Sequence, residues 1–213
     1  MAPFYDRGRG AWYSAVAKIL RGLRGLVLDA GAGTGEVACR LASQGAEVVA
    51  ADSSLSMLRI LWRKAVRRKV AHLVHPVASH IPLLSVREGC LDYALAIAVI
   101  HHLYGRDRRV AALRRLGRAL KPGGRCFITA WYKFHPLNFL RVLSAALRGA
   151  QWGDALVAWR RGDKVLKRFY HFYSRSELRR DMLAAGLRGE VVLWDPRKKL
   201  LKRNVLAVAV RGD

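Results

Sequence analysis

The segment Asp29-Ala30-Gly31-Ala32-Gly33-Thr34-Gly35 constrains this chain more than any other. A short apolar run, Leu26–Ala30, leads into it, and residues with helical spacing, Thr34–Ser43, follow. A run that short and apolar predicts a buried strand. Glycine lets the backbone turn sharply and lets a ligand touch the main chain, and a helix N-terminus offers unpaired N–H groups. The segment therefore predicts a strand–turn–helix ligand cradle. A dinucleotide fingerprint reads Gly-x-Gly-x-x-Gly. Here the third glycine comes one residue early, and Glu36 stands where that fold keeps a small residue. A carboxylate there would repel a diphosphate, so the expected ligand is an amino-acid moiety. Asp52 ends the second apolar run, Glu47–Ala51. Its carboxylate can accept both ribose hydroxyls of a nucleoside or cap the helix that follows.

The alternation continues along the chain. A helix is expected from Ser53 or Ser54 to about Val66, a third strand over Ala71–Val77 and a fourth over Leu91–Val99. A basic helix over Arg108–Leu120 stops at Lys121-Pro122-Gly123-Gly124, before a fifth strand at Cys126–Ala130. Two last strands, Val191–Trp194 and Val205–Val210, have a short connection that suits an antiparallel pair at one sheet edge. The expected fold is α/β, Rossmann-like: a seven-stranded, mostly parallel sheet with helices on both faces and the last strand antiparallel. At 213 residues the chain is read as one domain, with an insertion at about 132–175 that is rich in Trp, Tyr and Arg. Cys39, Cys90 and Cys126 are scattered without metal-ligand spacing and read as buried thiols, and no metal site is expected. The N-terminus lacks an apolar signal region, and the longest uncharged apolar run, Tyr93–Ile100, is too short for a membrane span. These features lead us to expect a cytoplasmic protein that does not enter the membrane.

With Asp29, Asp52 and the Leu120–Gly124 turn at fitting distances, the sequence resembles the class I S-adenosylmethionine-dependent methyltransferases over about residues 26–131 and the final strands. That resemblance implies S-adenosylmethionine as cofactor. It implies cofactor contacts from Asp29 and the turn Gly31, Ala32, Gly33 and Gly35 around the methionine part. Asp52 would meet the ribose, Ser53 and Met57 would lie near the adenosine, Ala78 and Ser79 against adenine, and Ala98 after the fourth strand. Val77 stands where the family usually has an Asp for the adenine amino group, so Ser79 or a main-chain carbonyl must serve instead.

Two further stretches narrow the resemblance. Ala96-Ile97-Ala98-Val99-Ile100-His101-His102-Leu103 precedes the basic helix, and Arg168-Phe169-Tyr170-His171-Phe172-Tyr173 precedes Ser176-Glu177-Leu178. Both are similar to segments of the tRNA wobble-uridine 5-carboxymethyl methyltransferases. The resemblance implies methylation of the carboxylate of 5-carboxymethyluridine at position 34 in the tRNA anticodon loop. Such an acceptor is already ionised at neutral pH and needs no general base, which fits the lack of an evident catalytic dyad. Arg168 suits a forked pair with that carboxylate. Tyr170 and Tyr173 suit stacking on an unpaired base. His101 and His102 end a strand at the carboxyl edge, where ligands bind in such sheets. About half of the aromatic run should be core. His101, Arg168, Tyr170 and His171 are the residues expected at the acceptor. The subfamily also implies a small zinc-ribbon activator protein, pairing with the apolar edge strand Ala71–Val77, although Lys69 and Pro76 are edge-protecting residues.

The charge agrees with a polyanionic partner. Lys and Arg number 39 against 15 Asp and Glu, a net charge of +24. Candidate phosphate-gripping surfaces are the basic helix Arg108–Arg118 and the row Arg59, Arg63, Lys64, Arg67, Arg68 and Lys69, and a further basic tract, Arg197, Lys198, Lys199, Lys202 and Arg203, lies between the last two strands. Either helix can equally be a solvated face. A small-molecule methyltransferase acting on a quinone-like lipid or a metabolite is the competing reading, and the charge and the Arg168–Tyr173 run weigh against it.

Overall fold

A computed structural model describes residues 10–84, 86–161, 164–195 and 203–212. The basic residues Arg7 and Arg9 and the tract Arg197, Lys198, Lys199 and Lys202 fall outside the described residues. The apolar runs form one seven-stranded sheet in the order β3-β2-β1-β4-β5-β9-β8. Its strands are β1 (Gly25–Ala30), β2 (Ala46–Asp52), β3 (Val74–Ala78), β4 (Leu91–Ile97), β5 (Leu120–Trp131), β8 (Leu187–Trp194) and β9 (Asn204–Arg211). β1 pairs in parallel with β2 and β4, β2 with β3, and β4 with β5. β9 runs antiparallel to both of its neighbours, as expected for the last strand.

Side chains alternate across each strand, so both faces of the sheet need cover. On one face α1 (Gly10–Ile19), α2 (Glu36–Ala42) and α3 (Leu55–Arg67) bury Val16, Leu41 and Leu61 against Val27, Val48 and Leu95. On the other, α4 (Arg106–Ala119) and α6 (Arg175–Ala184) bury Leu113, Leu116 and Leu178 against Leu28, Ala94 and Ile128. Cys39 and Cys126 are buried and Cys90 is half-buried. Burial pushes the Cys126 thiol up to about 12.

Several boundaries differ from the sequence reading. Ala71–Leu73 forms a 3-10 turn, and the edge strand β3 begins only at Val74. Lys121–Gly124 does not separate helix from strand. β5 starts at Leu120, which pairs with Leu91 before a register shift, and Tyr93 then pairs with Arg125. A side chain at Gly124 would sit 3.0–3.1 Å from the carbonyls of Lys121, Asp92 and Leu91, so this bulge requires glycine.

The insertion holds α5 (Pro136–Ala146) and an unanticipated hairpin, β6 (Asp154–Arg161) with β7 (Lys164–His171), which forms its own two-stranded sheet. Gly162-Asp163 between the two runs is a hairpin signal in the sequence. Arg and Lys scattered through both runs obscured their alternation.

The basic helix is a packing element. Arg109 is buried, with its guanidinium 5.7 Å from the centre of the Tyr173 ring. Arg106 pairs with Asp181 at 2.7 Å. Arg115 donates to the carbonyls of Leu84 and Val86, and Arg114 to that of Ala184. These contacts explain the charge of α4 as inter-element ties. Arg108, by contrast, is exposed.

Candidate cofactor and acceptor site

Asp52 ties the glycine turn to the end of β2. Its Oδ2 accepts from the N–H of Gly33 and its Oδ1 from the N–H of Ser54, both at 2.8 Å. The N–H groups of Gly31 and Ala32 donate to the carbonyl of Ala51 at 2.7 and 2.9 Å. Gly31 and Gly35 have φ of 81° and 74°. A Cβ on Gly31 would lie 2.4 Å from Val99, and one on Gly35 2.3 Å from Leu61. Glycine is therefore needed at both positions for conformation and for space. The helix cap that competed for Asp52 belongs to Ser54, whose hydroxyl accepts from the N–H of Met57 at 3.4 Å. Each Asp52 oxygen keeps a lone pair for a ribose hydroxyl.

Glu36 is the first residue of α2, directly after the turn. It is buried and held by Arg40, Lys64 and Arg68 at 2.8, 3.1 and 2.9 Å. Burial pushes its carboxyl up, but the hydrogen bonds from Arg68, Lys64 and Arg40 outweigh this and hold it below the usual range. A charge matched in this way exerts no repulsion on a diphosphate, so that part of the sequence argument falls. It also engages two of the cations taken for phosphate grips, Lys64 and Arg68.

Asp29 lies under the turn, 2% exposed, with a buried Oδ2 that has no hydrogen-bond partner. Burial, reinforced by the Asp52 charge, raises its pKa from 3.8 to about 7. A carboxyl in that position is suited to a cationic ligand group. Ala78 pairs with Asp52, and the N–H of Ser79 donates to the Asp52 carbonyl at 3.1 Å. The Ser79 hydroxyl donates to the carbonyl of His80, which leaves its oxygen free to accept from an amino group. Met57 is buried, while Ser53 and Val77 are exposed. Ala98 has φ of +58°, and its N–H is fixed by the carbonyl and the hydroxyl of Thr129 at 3.1 and 2.9 Å. A left-handed alanine is strained, and such strain collects at ligand sites. The buried Asp29 carboxyl with its free Oδ2, half-engaged Asp52 and the open turn fit S-adenosylmethionine.

One 3-10 turn beyond Ala98 places His101 and His102 against the hairpin. The rings of His101 and Tyr170 are stacked, 5.3 Å apart and 15° from parallel. Trp131 at the end of β5 stacks on Tyr170 at 4.7 Å. His102 Nδ1 lies 3.1 Å from the carbonyl of Phe169. Alternation along β7 puts Arg168 on the Tyr170 face, paired with Val157. His101 and Tyr170 are thus in ring contact at the carboxyl edge, and Arg168 shares the Tyr170 face of β7.

His171 is not with them. It lies on the opposite face of β7, its Nδ1 2.6 Å from Asp154 and its Nε2 3.5 Å from Glu177, which also binds Lys133 at 2.6 Å. These contacts make it a strut between the hairpin and α6. Tyr173 is buried in the main core, donating to Asp181 at 3.3 Å. Tyr170 is 2% exposed, with rings packed around it. Neither tyrosine offers an open face to a base. Trp131 is half-buried, and Trp159, 6.4 Å from it, is exposed. The carboxyl-edge rule that picked out His101 applies equally to Trp131, and the sequence reading did not extend it there.

Residues 28–128 match the family described as Methyltransferase domain. The tRNA (carboxymethyluridine(34)-5-O)-methyltransferase of Arabidopsis thaliana is 33% identical over 133 residues, 62% of this chain and 30% of that protein. An uncharacterized methyltransferase of Mycobacterium tuberculosis is 37% identical over 140 residues, 65% of this chain and 54% of that one. The chain thus spans less than a third of the Arabidopsis protein and about half of the mycobacterial one. In fold it is similar to a Methanosarcina mazei S-adenosylmethionine-dependent methyltransferase, with a TM-score of 0.78 and 17% identity over 92% of this chain and 97% of that one. It is also similar to the 1,6-didemethyltoxoflavin-N1-methyltransferase of Burkholderia thailandensis with bound S-adenosylhomocysteine, with a TM-score of 0.68 and 22% identity over 99% of this chain and 84% of that one.

Proposed function

We propose that this chain, whose fold and residues 28–128 are similar to S-adenosylmethionine-dependent methyltransferases, is such an enzyme and that its acceptor is the carboxylate of 5-carboxymethyluridine at wobble position 34 of tRNA. The observation that carries this reading is the hairpin itself. It sets Arg168 on the same face as Tyr170, against His101 and Trp131, at the carboxyl edge beside the glycine turn. The cofactor supplies an electrophilic methyl group on a sulfonium. The chain's own residues hold and orient the two reactants. The glycine turn and Asp52 fix the cofactor's methionine and ribose. Arg168 holds the acceptor carboxylate, Trp131 and Trp159 stack on the base, and Tyr170 with His101 forms the rigid wall behind them. An ionised carboxylate is already a nucleophile, so position and exclusion of water suffice. The name of the Arabidopsis relative and the net charge of +24 support an RNA acceptor.

The same reading includes an activator of zinc-ribbon type pairing with β3. That strand is the sheet's edge, and His75, Pro76, Val77 and Ala78 are all exposed. Its site of action would be the cytoplasm, and no described helix is long and apolar enough to cross a membrane.

Labelled S-adenosylmethionine, bulk tRNA and the protein, with and without a zinc-ribbon activator, test the proposal. Label released from tRNA by mild alkali is the expected result. Alkali-stable label on tRNA removes the carboxylate, and label that enters only a lipid or metabolite extract removes tRNA altogether.

A further inference from the structure

Outside the acceptor site, a groove of about 710 Å³ runs between α6 and β8. Its lining includes Arg175, Arg179, Ser176 and Glu190, together with Tyr132 and Phe134. Tyr132 directly follows Trp131, so the groove opens one residue from the proposed base platform.

Many of the cations elsewhere are already engaged. Arg106, Arg114 and Arg115 of α4, and Lys64 and Arg68 beside Glu36, are engaged by carbonyls and carboxylates of the fold. Arg175 and Arg179 are exposed and make no hydrogen bond or ion pair among the described residues. They sit four residues apart on α6, so both guanidiniums project from one helix face. Phe134 is 49% exposed, its ring 5.8 Å from that of Tyr132. Two unengaged forks beside aromatic rings in a concave channel match the phosphates and bases of a polynucleotide strand. Glu190 on the β8 wall can accept a hydrogen bond from a ribose 2′-hydroxyl, which DNA lacks.

We propose that this groove seats the sugar–phosphate backbone of the RNA substrate, with Arg175 and Arg179 on successive phosphates and Glu190 on a 2′-hydroxyl. The inference rests on the reading of the acceptor as RNA. It adds a second, sequence-independent contact that sets how the strand approaches Trp131.

The test measures binding of the full chain to an anticodon stem–loop RNA, and to DNA of the same sequence, by fluorescence anisotropy across a salt series. Arg175→Ala with Arg179→Ala should weaken RNA binding about tenfold or more. It should also reduce the slope of log affinity against log salt by about 1.4, roughly 0.7 for each single-strand phosphate. Glu190→Gln should narrow the preference for RNA over DNA. Arg63→Ala with Arg67→Ala, on the exposed side of α3, is the charge-matched control. Equal losses from both pairs mean a diffuse field and overturn the groove, as does an unchanged affinity in the α6 pair. Tighter capture of an acidic peptide than of RNA overturns it too. Binding that depends on the groove without methyl transfer to any RNA removes the acceptor reading and leaves the groove. Methylation with unchanged affinity in the α6 pair does the reverse.

Discussion

His101 and Tyr170 stack nearly parallel, 5.3 Å between ring centres and 15° between planes, although 69 positions separate them in the chain. One sits at the carboxyl end of β4, the other on the hairpin of the insertion. Their contact fixes where the insertion stands relative to the cofactor turn. Tyr170→Ala should leave a cavity costing about 3–5 kcal/mol, a fall in Tm of roughly 6–15 °C for a chain of this size. Tyr170→Phe keeps the ring and should hold kcat/KM within a few-fold of wild type. A Phe variant as inactive as the Ala variant would show that the hydroxyl, rather than the stack, matters.

Arg168 offers a planar fork where Lys offers a point charge. Arg168→Lys keeps the charge and should still lower kcat/KM on tRNA about tenfold or more. Affinity for S-adenosylmethionine should not change, because the proposed cofactor contacts are the glycine turn and Asp52 rather than Arg168. Steady-state kinetics with a parallel cofactor titration check both halves. Equal losses of cofactor and tRNA binding would contradict the assignment.

The Asp154–His171–Glu177–Lys133 cluster pins the hairpin to the body of the fold. Burial pushes the Glu177 carboxyl up, but hydrogen bonds from His171, Lys133 and the Ser174 backbone prevail and hold it at about 2. A depressed carboxyl contributes stability above its unfolded pKa, near 4.5, and loses it as pH falls towards 2. The hairpin should therefore loosen in that acid window. Asp154→Ala leaves His171 short of a buried partner, at about 1–3 kcal/mol. Amide exchange should speed up in β6 and β7, and KM for tRNA should rise while cofactor affinity holds. Unchanged exchange in the hairpin would remove the strut role.

What was legible in the sequence follows from locality. The turn Asp29–Gly35, Asp52 and the succession of strands and helices along the chain rest on contiguous runs and on a ligand chemistry that glycines and one carboxylate announce. Glu36 was misread because its partners Lys64 and Arg68 lie a helix away, where no local pattern reports them. Tyr173 and His171 sit in a motif that reads as one functional run. Strand alternation and the start of α6 send them instead to the core and to the hairpin's back face. The arginines of α4 look like a solvated stripe until Asp181 and the carbonyls of Leu84, Val86 and Ala184 come within reach. Long-range polar partners, rather than apolar periodicity, account for most of what the sequence withheld.

On the proposed reading, Asp29 should make cofactor binding a proton-linked step. Its pKa of about 7 lies above the unfolded value of 3.8, because burial and the Asp52 charge disfavour its ionised form. The folded chain therefore binds an extra proton between those values. Without cofactor, stability should decline as pH rises from about 4 to about 7 and remain lower above that. S-adenosylmethionine carries cationic ammonium and sulfonium groups, which favour ionised Asp29. Cofactor binding should therefore release a proton, and affinity should rise about tenfold from pH 6 to pH 8 as the ionised fraction grows. Asp29→Asn imitates the protonated form. Its affinity should stay at the weak, acid-side level throughout, and its cofactor-free Tm at pH 8 should exceed that of wild type. Calorimetric titration in two buffers of different ionisation enthalpy reads the proton count directly. A wild-type affinity that is flat from pH 6 to pH 8, with no proton released, would place Asp29 outside the cofactor's charge.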